Sequence, residues 1–445
     1  MDPQALLPLV AAAALAGAVI LLAANGELDR VGAWMLIGGW FLFALTSPTF
    51  QFPLALRPVG LVLAGAGALL LRLTCTDPPR RVGSASLPTR LLFVFVVFVL
   101  LGCLQSPYGP SNLVRGVEGV LIVASALYGV SLGLGSWLVG GVLAAALANV
   151  VLSIISGAPE VVPGVHGDPE RLSGFMQPNH LAFAAAIVLI GVAGLWAGNR
   201  RFRLLLLGAA GLATYALLAS RSRTGLIALL IAVGVAGAAS VAPAARLRAM
   251  AIGLLALLAL VPLAGGVSQG WFDRNDASGS NIASLTGRTD LWPPVIDLIK
   301  RRPIVGWGVD AVNSPAGEKV QEVLPGIGQA HNAYLEAGLM GGLPAALAWG
   351  LSLAAALVGS WRLPRLDPRR FGLIAIAVLL ELYAITESSP AWFGDMFICY
   401  VLLVAIHSEA RAEQAAAAEV PSSDRARAGG RARAEQPIPA MGGAR

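Results

Sequence analysis

A chain of 445 residues that is 56% hydrophobic and only 13% charged departs from ordinary soluble domains, in which roughly a quarter of the residues are charged. That balance excludes a soluble globular protein, and continuous apolar runs without period-2 alternation exclude a membrane β-barrel. The net charge of +6 does not imply a nucleic-acid partner, because the basic residues stand in short clusters between apolar runs and read as topology signals.

A helix needs about 20 apolar residues to cross a hydrocarbon core. Runs of this kind fall at 7–24, 32–45, 58–71, 91–104, 119–134, 138–156, 181–197, 204–219, 224–240, 250–265, 332–358, 371–385 and 393–407. They predict an all-α integral membrane protein, a polytopic bundle of about 12–13 transmembrane helices. The first run lacks a basic n-region and a small-residue cleavage site, so it reads as a retained helix. Clusters at Arg72/Arg80/Arg81/Arg90, Arg200/Arg201/Arg203, Arg246/Arg248 and Arg362/Arg365/Arg369/Arg370 share one side of this count, which the positive-inside rule makes cytoplasmic. The opposite face receives 46–57, 105–115, 157–179, the turn 387–392 and a long loop, 266–330. Lys300, Arg301 and Arg302 in that loop run against the rule, which weakens in long loops. Residues 291–299 predict a short amphipathic helix at the interface.

The chain divides into amino-terminal transmembrane helices (1–156), a region holding the polar motifs (157–407) and an Ala-, Arg-, Glu- and Gly-rich tail (408–445) expected to be disordered and cytoplasmic. Cys75, Cys103 and Cys399 are too far apart for a disulfide framework and read as packing residues.

Ionisable groups in a membrane protein persist where they pair, meet water or act on a ligand. In Ser220-Arg221-Ser222-Arg223-Thr224-Gly225, a guanidinium at the outer face can hold phosphate through paired hydrogen bonds. Residues two apart on a helix diverge by about 200°, so one of the two arginines faces a given pocket, Arg223 first and Arg221 second. Anchors snorkelling from a helix end are the plain alternative. Arg288, before Asp290 and Trp292, is a second outer guanidinium, or a solvated loop arginine. His331 opens the span after the long loop, where the positive helix end and nearby arginines disfavour its protonated form and suit it to be a general base. Asn332 is placed to cap the helix or orient the ring, with Tyr334 and Glu336 close by. Gly338, Gly341 and Gly342 allow close helix packing. Asp168, Arg171, Gln177, Asn179 and His180 line another outer segment, although Pro178-Asn179 is also a helix-start signal. Glu381 and Glu387 each call for a partner, most simply a buried arginine. No nucleotide-binding motif occurs, and His166, His180, His331 and His407 lack metal-ligand spacing. No cofactor or metal is expected, and a reaction without them needs an activated donor.

Arg171-Leu172-Ser173-Gly174-Phe175-Met176-Gln177-Pro178-Asn179-His180-Leu181-Ala182, the Ser-Arg-Thr-Gly of 222–225, Gly287-Arg288 with Leu291-Trp292, Gly306-Trp307-Gly308 and His331-Asn332 through Gly338 together resemble the O-antigen ligase and polymerase family of bacterial envelopes. The resemblance implies a multi-pass glycosyltransferase of the inner membrane, inverting and metal-independent, with its active site facing the periplasm. Its donor would be an undecaprenyl-pyrophosphate-linked glycan and its surroundings membrane lipids. The acceptor would be lipid A–core in a ligase, the first reading, or a second lipid-linked glycan in a polymerase. On this chain the resemblance makes His331, Arg288 and Arg223 the catalytic residues. Arg221, Arg171, Asn179, Asn332 and Tyr334 would contact substrate. A transporter of lipid-linked oligosaccharide, using the same arginines without bond chemistry, is the reading from a different class.

Overall fold

The computed structural model describes residues 28–45, 56–74, 86–107, 110–157, 171–174, 177–196, 200–240, 288–323, 328–389, 391 and 393–419. The spans expected at 7–24 and 250–265 lie outside these residues, as do Cys75, His166 and Asp168. The described helices are α1 (Leu28–Leu45), α2 (Leu56–Thr74), α3 (Leu87–Leu104), α4 (Pro110–Ser131), α5 (Gly135–Ser156), α6 (Pro178–Trp196), α7 (Arg203–Ala219) and α8 (Arg223–Ser240). They continue with α9 (Arg288–Arg301), α10 (Glu318–Val323), α11 (Ala333–Trp361), α12 (Arg370–Thr386) and α13 (Asp395–Glu419). Among the described residues, six helices are long and apolar enough to cross a membrane, namely α3, α4, α5, α6, α8 and α11. The protein is an all-α polytopic membrane protein.

Its exterior fits a lipid solvent. Leu343, Leu347 and Leu351, spaced by four along α11, form an exposed apolar ridge, as does a helix side that meets hydrocarbon rather than water. Inside, the helices close on small residues and aromatic rings. At Gly39 of α1 a Cβ would lie 2.4 Å from the backbone of Ala64 in α2, the intimate approach that small residues permit between membrane helices. Phe95 of α3, Trp349 of α11, and Phe397 and Tyr400 of α13 stack in a buried aromatic core with neighbouring centroids about 6 Å apart.

Bonds between helix ends define two faces. At one, Thr89 meets Ser408 at 2.6 Å and Arg369 meets Glu413 at 2.8 Å. This face carries the arginine-bearing starts of α3, α7 and α12. At the other, Leu172 N–H donates to Ala219 O at 2.9 Å, and Asn179 and Asn332 reach the end of α12.

Three elements depart from the expected boundaries. Residues 408–419, expected to belong to a disordered tail, are helical, because α13 continues to Glu419. Its Ala-, Glu- and Arg-rich sequence is strongly helix-forming, Ser408 and Ala410 are buried, and Arg369 pairs with Glu413. α4 starts at Pro110 rather than 119. Its polar first turns are occupied by partners, with Asn112 donating to Ser106 and Arg115 paired with Asp310 at 2.8 Å.

The third departure shapes the site. The span expected at 332–358 is two helices meeting at a break, where Gly341 (φ −137°, ψ 20°) and Gly342 (φ 75°, ψ −175°) leave helical geometry. Residues 303–308 fill the gap. Trp307 N–H donates to Leu339 O at 2.7 Å, Gly308 N–H to Met340 O at 3.1 Å, and Leu343 N–H to Pro303 O at 2.7 Å. The Gly306-Trp307-Gly308 motif thus satisfies backbone groups that the break would strand in a non-aqueous setting. At Gly306, φ is +64° and a Cβ would lie 2.5 Å from Leu339 O.

Gly342 occupies a backbone region open essentially to glycine alone, and its Cβ would lie 2.5 Å from Ile304. Gly342→Ala should therefore destabilise the protein by about 3 kcal/mol. Gly140→Ala, in α5 with nothing within 4 Å, should be neutral or mildly stabilising. Thermal unfolding in detergent separates the two, and equal melting temperatures would contradict the role given to the break.

Candidate active site

Four helices begin close together at the face opposite the Thr89–Ser408 and Arg369–Glu413 contacts: α6 at Pro178, α8 at Arg223, α9 at Arg288 and α11 at Ala333. Each start carries the positive end of a helix dipole, which favours anions. α12 ends among them, and the residue after its last turn is Glu387.

The Glu387 side chain is 1% exposed and joins the surrounding elements. Its Oε1 accepts from Arg288 Nη2 at 2.8 Å and from Asn179 Nδ2 at 2.7 Å. Its Oε2 faces His331 Nδ1 at 3.4 Å. That separation exceeds a formed hydrogen bond, and neither atom has another hydrogen-bond partner among the described residues. Burial raises the pKa of a carboxylic acid. Here the Arg288 guanidinium, aided by His331 and His180, outweighs that effect and holds Glu387 down to about 2.

Local sequence explains how each group is held. Asn332 caps α11, its Oδ1 accepting from the N–H groups of Tyr334 at 3.0 Å and Leu335 at 3.1 Å. Its amide donates to Ile385 O at 3.2 Å and its backbone N–H to Ser388 Oγ at 3.3 Å. These bonds tie the turn before α11 to the end of α12. His331 sits there with φ +49°, a conformation that costs energy in a non-glycine residue and clusters at functional sites.

Ser222 caps α8 by accepting from Gly225 N–H at 3.1 Å, and its hydroxyl donates to Asn179 Oδ1 at 2.8 Å. Arg171 is buried and donates to Ser220 O at 2.9 Å and Asn179 Oδ1 at 3.4 Å. A continuous chain therefore runs from the α7–α8 turn through Ser222 and Asn179 to Glu387, and from there to Arg288 and His331.

Of the residues singled out in the sequence, Arg288, His331 and Asn179 converge directly on Glu387. Arg171 and Asn332 act one bond away, on the framework. Arg221 and Arg223 flank Ser222, and both are half-buried. The argument from a shared helix does not hold for this pair: Arg221 is the left-handed residue (φ 50°) of the turn, and only Arg223 belongs to α8. Tyr334 turns elsewhere, its ring edge-on to Trp349 at 5.2 Å and its hydroxyl donating to Glu381 at 2.6 Å. Glu381 thus has a tyrosine rather than the expected arginine, whereas Glu387 has its arginine.

The expected substrate-side set omitted Glu387, although an acid at the end of an apolar run was the signal that marked it. His180, named in the sequence with Arg171 and Asn179, belongs to the framework. It is fully buried, with Nδ1 3.0 Å from Asp395 Oδ1 and Nε2 3.1 Å from Ser389 Oγ, and so fastens the 387–395 turn to α6.

Fold and site together define a multi-pass helical membrane protein with a cationic, histidine-bearing centre at one membrane face. The family model described as O-antigen ligase matches residues 208–350, which include Arg221, Arg223, Arg288 and His331. The chain is also similar to the exopolysaccharide production protein ExoQ of Rhizobium meliloti (strain 1021), 27% identical over 394 residues covering 82% of this chain and 86% of that protein. Both findings support the O-antigen ligase/polymerase family for this chain, and with it a membrane enzyme of that type.

The state of Glu387 has a measurable consequence. Its folded pKa lies below the ordinary value of 4.5, so its contribution is complete above pH 4.5 and fades as pH falls through about 2. The shift corresponds to about 3 kcal/mol. Glu387→Gln should lower stability at pH 7 by about that amount, because Arg288 loses its counter-charge, and should flatten the loss of stability between pH 4.5 and 2. Identical acid-unfolding curves for the two proteins would rule out the ionised pair.

Proposed function

We propose that this protein transfers a glycan from undecaprenyl pyrophosphate to an acceptor hydroxyl at the periplasmic side of the bacterial inner membrane, with inversion at the anomeric carbon. The carrying observation is that Arg288 and His331 face the two oxygens of one buried carboxylate where four helix starts converge. The catalytic region in this reading is 157–407.

The donor pyrophosphate binds between Arg288 and Arg223, in the field of the helix starts. A guanidinium has five N–H donors, so the bond to Glu387 leaves Arg288 able to serve phosphate oxygens as well. The acceptor hydroxyl attacks the anomeric carbon from the side opposite the pyrophosphate. The bond to the pyrophosphate oxygen breaks, and its electron pair leaves as charge that the fixed guanidiniums stabilise. The hydroxyl proton goes to His331 Nε2. Glu387, facing Nδ1, favours the tautomer that carries its proton there and orients the ring, as a carboxylate does for a catalytic histidine. The 3.4 Å gap closes when substrate settles the ring, in keeping with catalytic hydrogen bonds that tighten in the complex.

Between acceptors, the relative named for exopolysaccharide production, matched over most of both chains, favours joining one lipid-linked repeat unit to another over transfer to lipid A–core. In a deletion strain, a polymerase leaves single lipid-linked units and a ligase leaves long unattached chains. Mass spectrometry of the lipid-linked pool distinguishes them.

His331→Ala should lower transfer at least 100-fold while leaving donor binding nearly intact, whereas Arg288→Gln should weaken binding and slow transfer together. These are read with purified protein and lipid-linked glycan. Undiminished turnover in His331→Ala would remove the proposed base and leave the same arginines to a transporter.

A further inference from the structure

Glu336 stands in the first turn of α11 and is 1% exposed, yet no step of the transfer uses it. Its hydrogen-bond partners are uncharged. Oε2 accepts from Ala330 N–H at 2.8 Å, and the Ser388 hydroxyl stands against the same carboxylate. A carboxylate taken out of water is ordinarily answered by a cation. One that is answered by a main-chain N–H and a hydroxyl grips those groups strongly, because its charge strengthens each bond.

The two groups it grips adjoin the two members of the catalytic pair. Ala330 directly precedes His331, and Ser388 directly follows Glu387. On the other side of the histidine, Asn332 N–H donates to Ser388 Oγ at 3.3 Å, and Asn332 O accepts from Glu336 N–H at 2.9 Å. A closed ring of bonds thus runs from the Glu336 carboxylate through Ala330, His331 and Asn332 to Ser388 and back. Ala330 and Ser388 are buried, so water does not compete for these contacts. His331 needs such a frame. Its φ of +49° is a left-handed conformation that a residue other than glycine keeps only where its surroundings over-determine it. Its Nδ1 stands 3.4 Å from Glu387 Oε2, a gap that a small turn of the ring closes and that relaxation of the 330–332 turn would widen.

We propose, on the glycosyl-transfer reading above with His331 as the base, that Glu336 is a positioning residue for the reaction: by holding Ala330 N–H and the Ser388 hydroxyl together, it fixes the His331 backbone against Glu387. Glu336 does not itself take the acceptor proton, because its carboxylate is shut off from solvent and engaged by Ala330. What it supplies is an acceptor oxygen at a fixed place, so an amide of the same shape serves nearly as well. The effect falls on the rate of transfer rather than on donor binding, because a catalytic group displaced by about 1 Å loses about 100-fold in rate, whereas the guanidiniums that hold the pyrophosphate keep their own supports.

The test measures kcat and KM for the full-length protein in lipid nanodiscs, with a purified lipid-linked repeat unit as substrate. Glu336→Leu removes the acceptor oxygens and should lower kcat about 30- to 100-fold with KM unchanged. Glu336→Gln restores an acceptor and should remain within about fivefold of wild type. Ser388→Ala is a smaller change that removes the second anchor; it should lower kcat about three- to tenfold, again at constant KM, and it decides the matter if Glu336→Leu does not fold. In a His331→Ala background, Glu336→Leu should have little further effect, since the base it positions is gone. A merely structural role would lower kcat and raise KM together, in the single and the double variant alike. That result overturns the brace, as does a Gln variant as impaired as the Leu variant, or wild-type rates in Glu336→Leu and Ser388→Ala. Full turnover in His331→Ala would instead sink the transfer reading and its base, an outcome distinct from Glu336 variants that match an enzyme dependent on His331.

Discussion

A carboxylate removed from water at the end of a membrane bundle costs several kcal/mol unless charge and hydrogen bonds repay it. Glu387 meets that condition by drawing separate parts of the chain around itself: Arg288 from the start of α9, Asn179 from the start of α6 and His331 from the turn before α11. The same pairing fixes where the guanidinium and the imidazole stand relative to each other. Two oxygens of a single carboxylate address a guanidinium and an imidazole, so the spacing between them is set by one short side chain held between two longer ones.

The surrounding framework works through uncharged contacts of the same economy. Ser222 caps one helix and donates to Asn179, Asn332 caps another and donates to the end of α12, and Arg171 spends its guanidinium on Ser220 and Asn179. Each of these polar residues serves two elements. Such double service suits a site at the rim of a bilayer, where every polar group must find a partner in protein or at the aqueous edge.

The membrane class and most helix positions were legible in the sequence because hydrocarbon imposes a length and a composition that a short window registers. The starts of α6 and α11 followed from the Pro178-Asn179 and Asn332 signals. The break at Gly341–Gly342 was not legible, since two glycines in an apolar run read equally as close packing; what distinguishes a break is the backbone of residues 303–308 arriving from far along the chain. The helix beyond His407 was missed because its alanines and charges resemble a solvated tail until Arg369 is placed beside Glu413. Within the site, the arginine and histidine stood out as polar residues near apolar runs. That Arg288 and His331 share one carboxylate is a long-range fact, carried by an acid 56 positions from the histidine along the chain (387 − 331) and visible in the sequence only as a group in need of a partner.

The interrupted helix has an implication for how its two arms are joined. Three main-chain bonds fasten 303–308 to 339–343, and such bonds do not depend on side-chain identity apart from the glycines that permit the contact. The short arm Ala333–Met340 consequently belongs mechanically to the outer cap rather than to the bilayer stave that follows it. Exchanging caps between relatives preserves the joint only when both strips of backbone are transplanted as one piece.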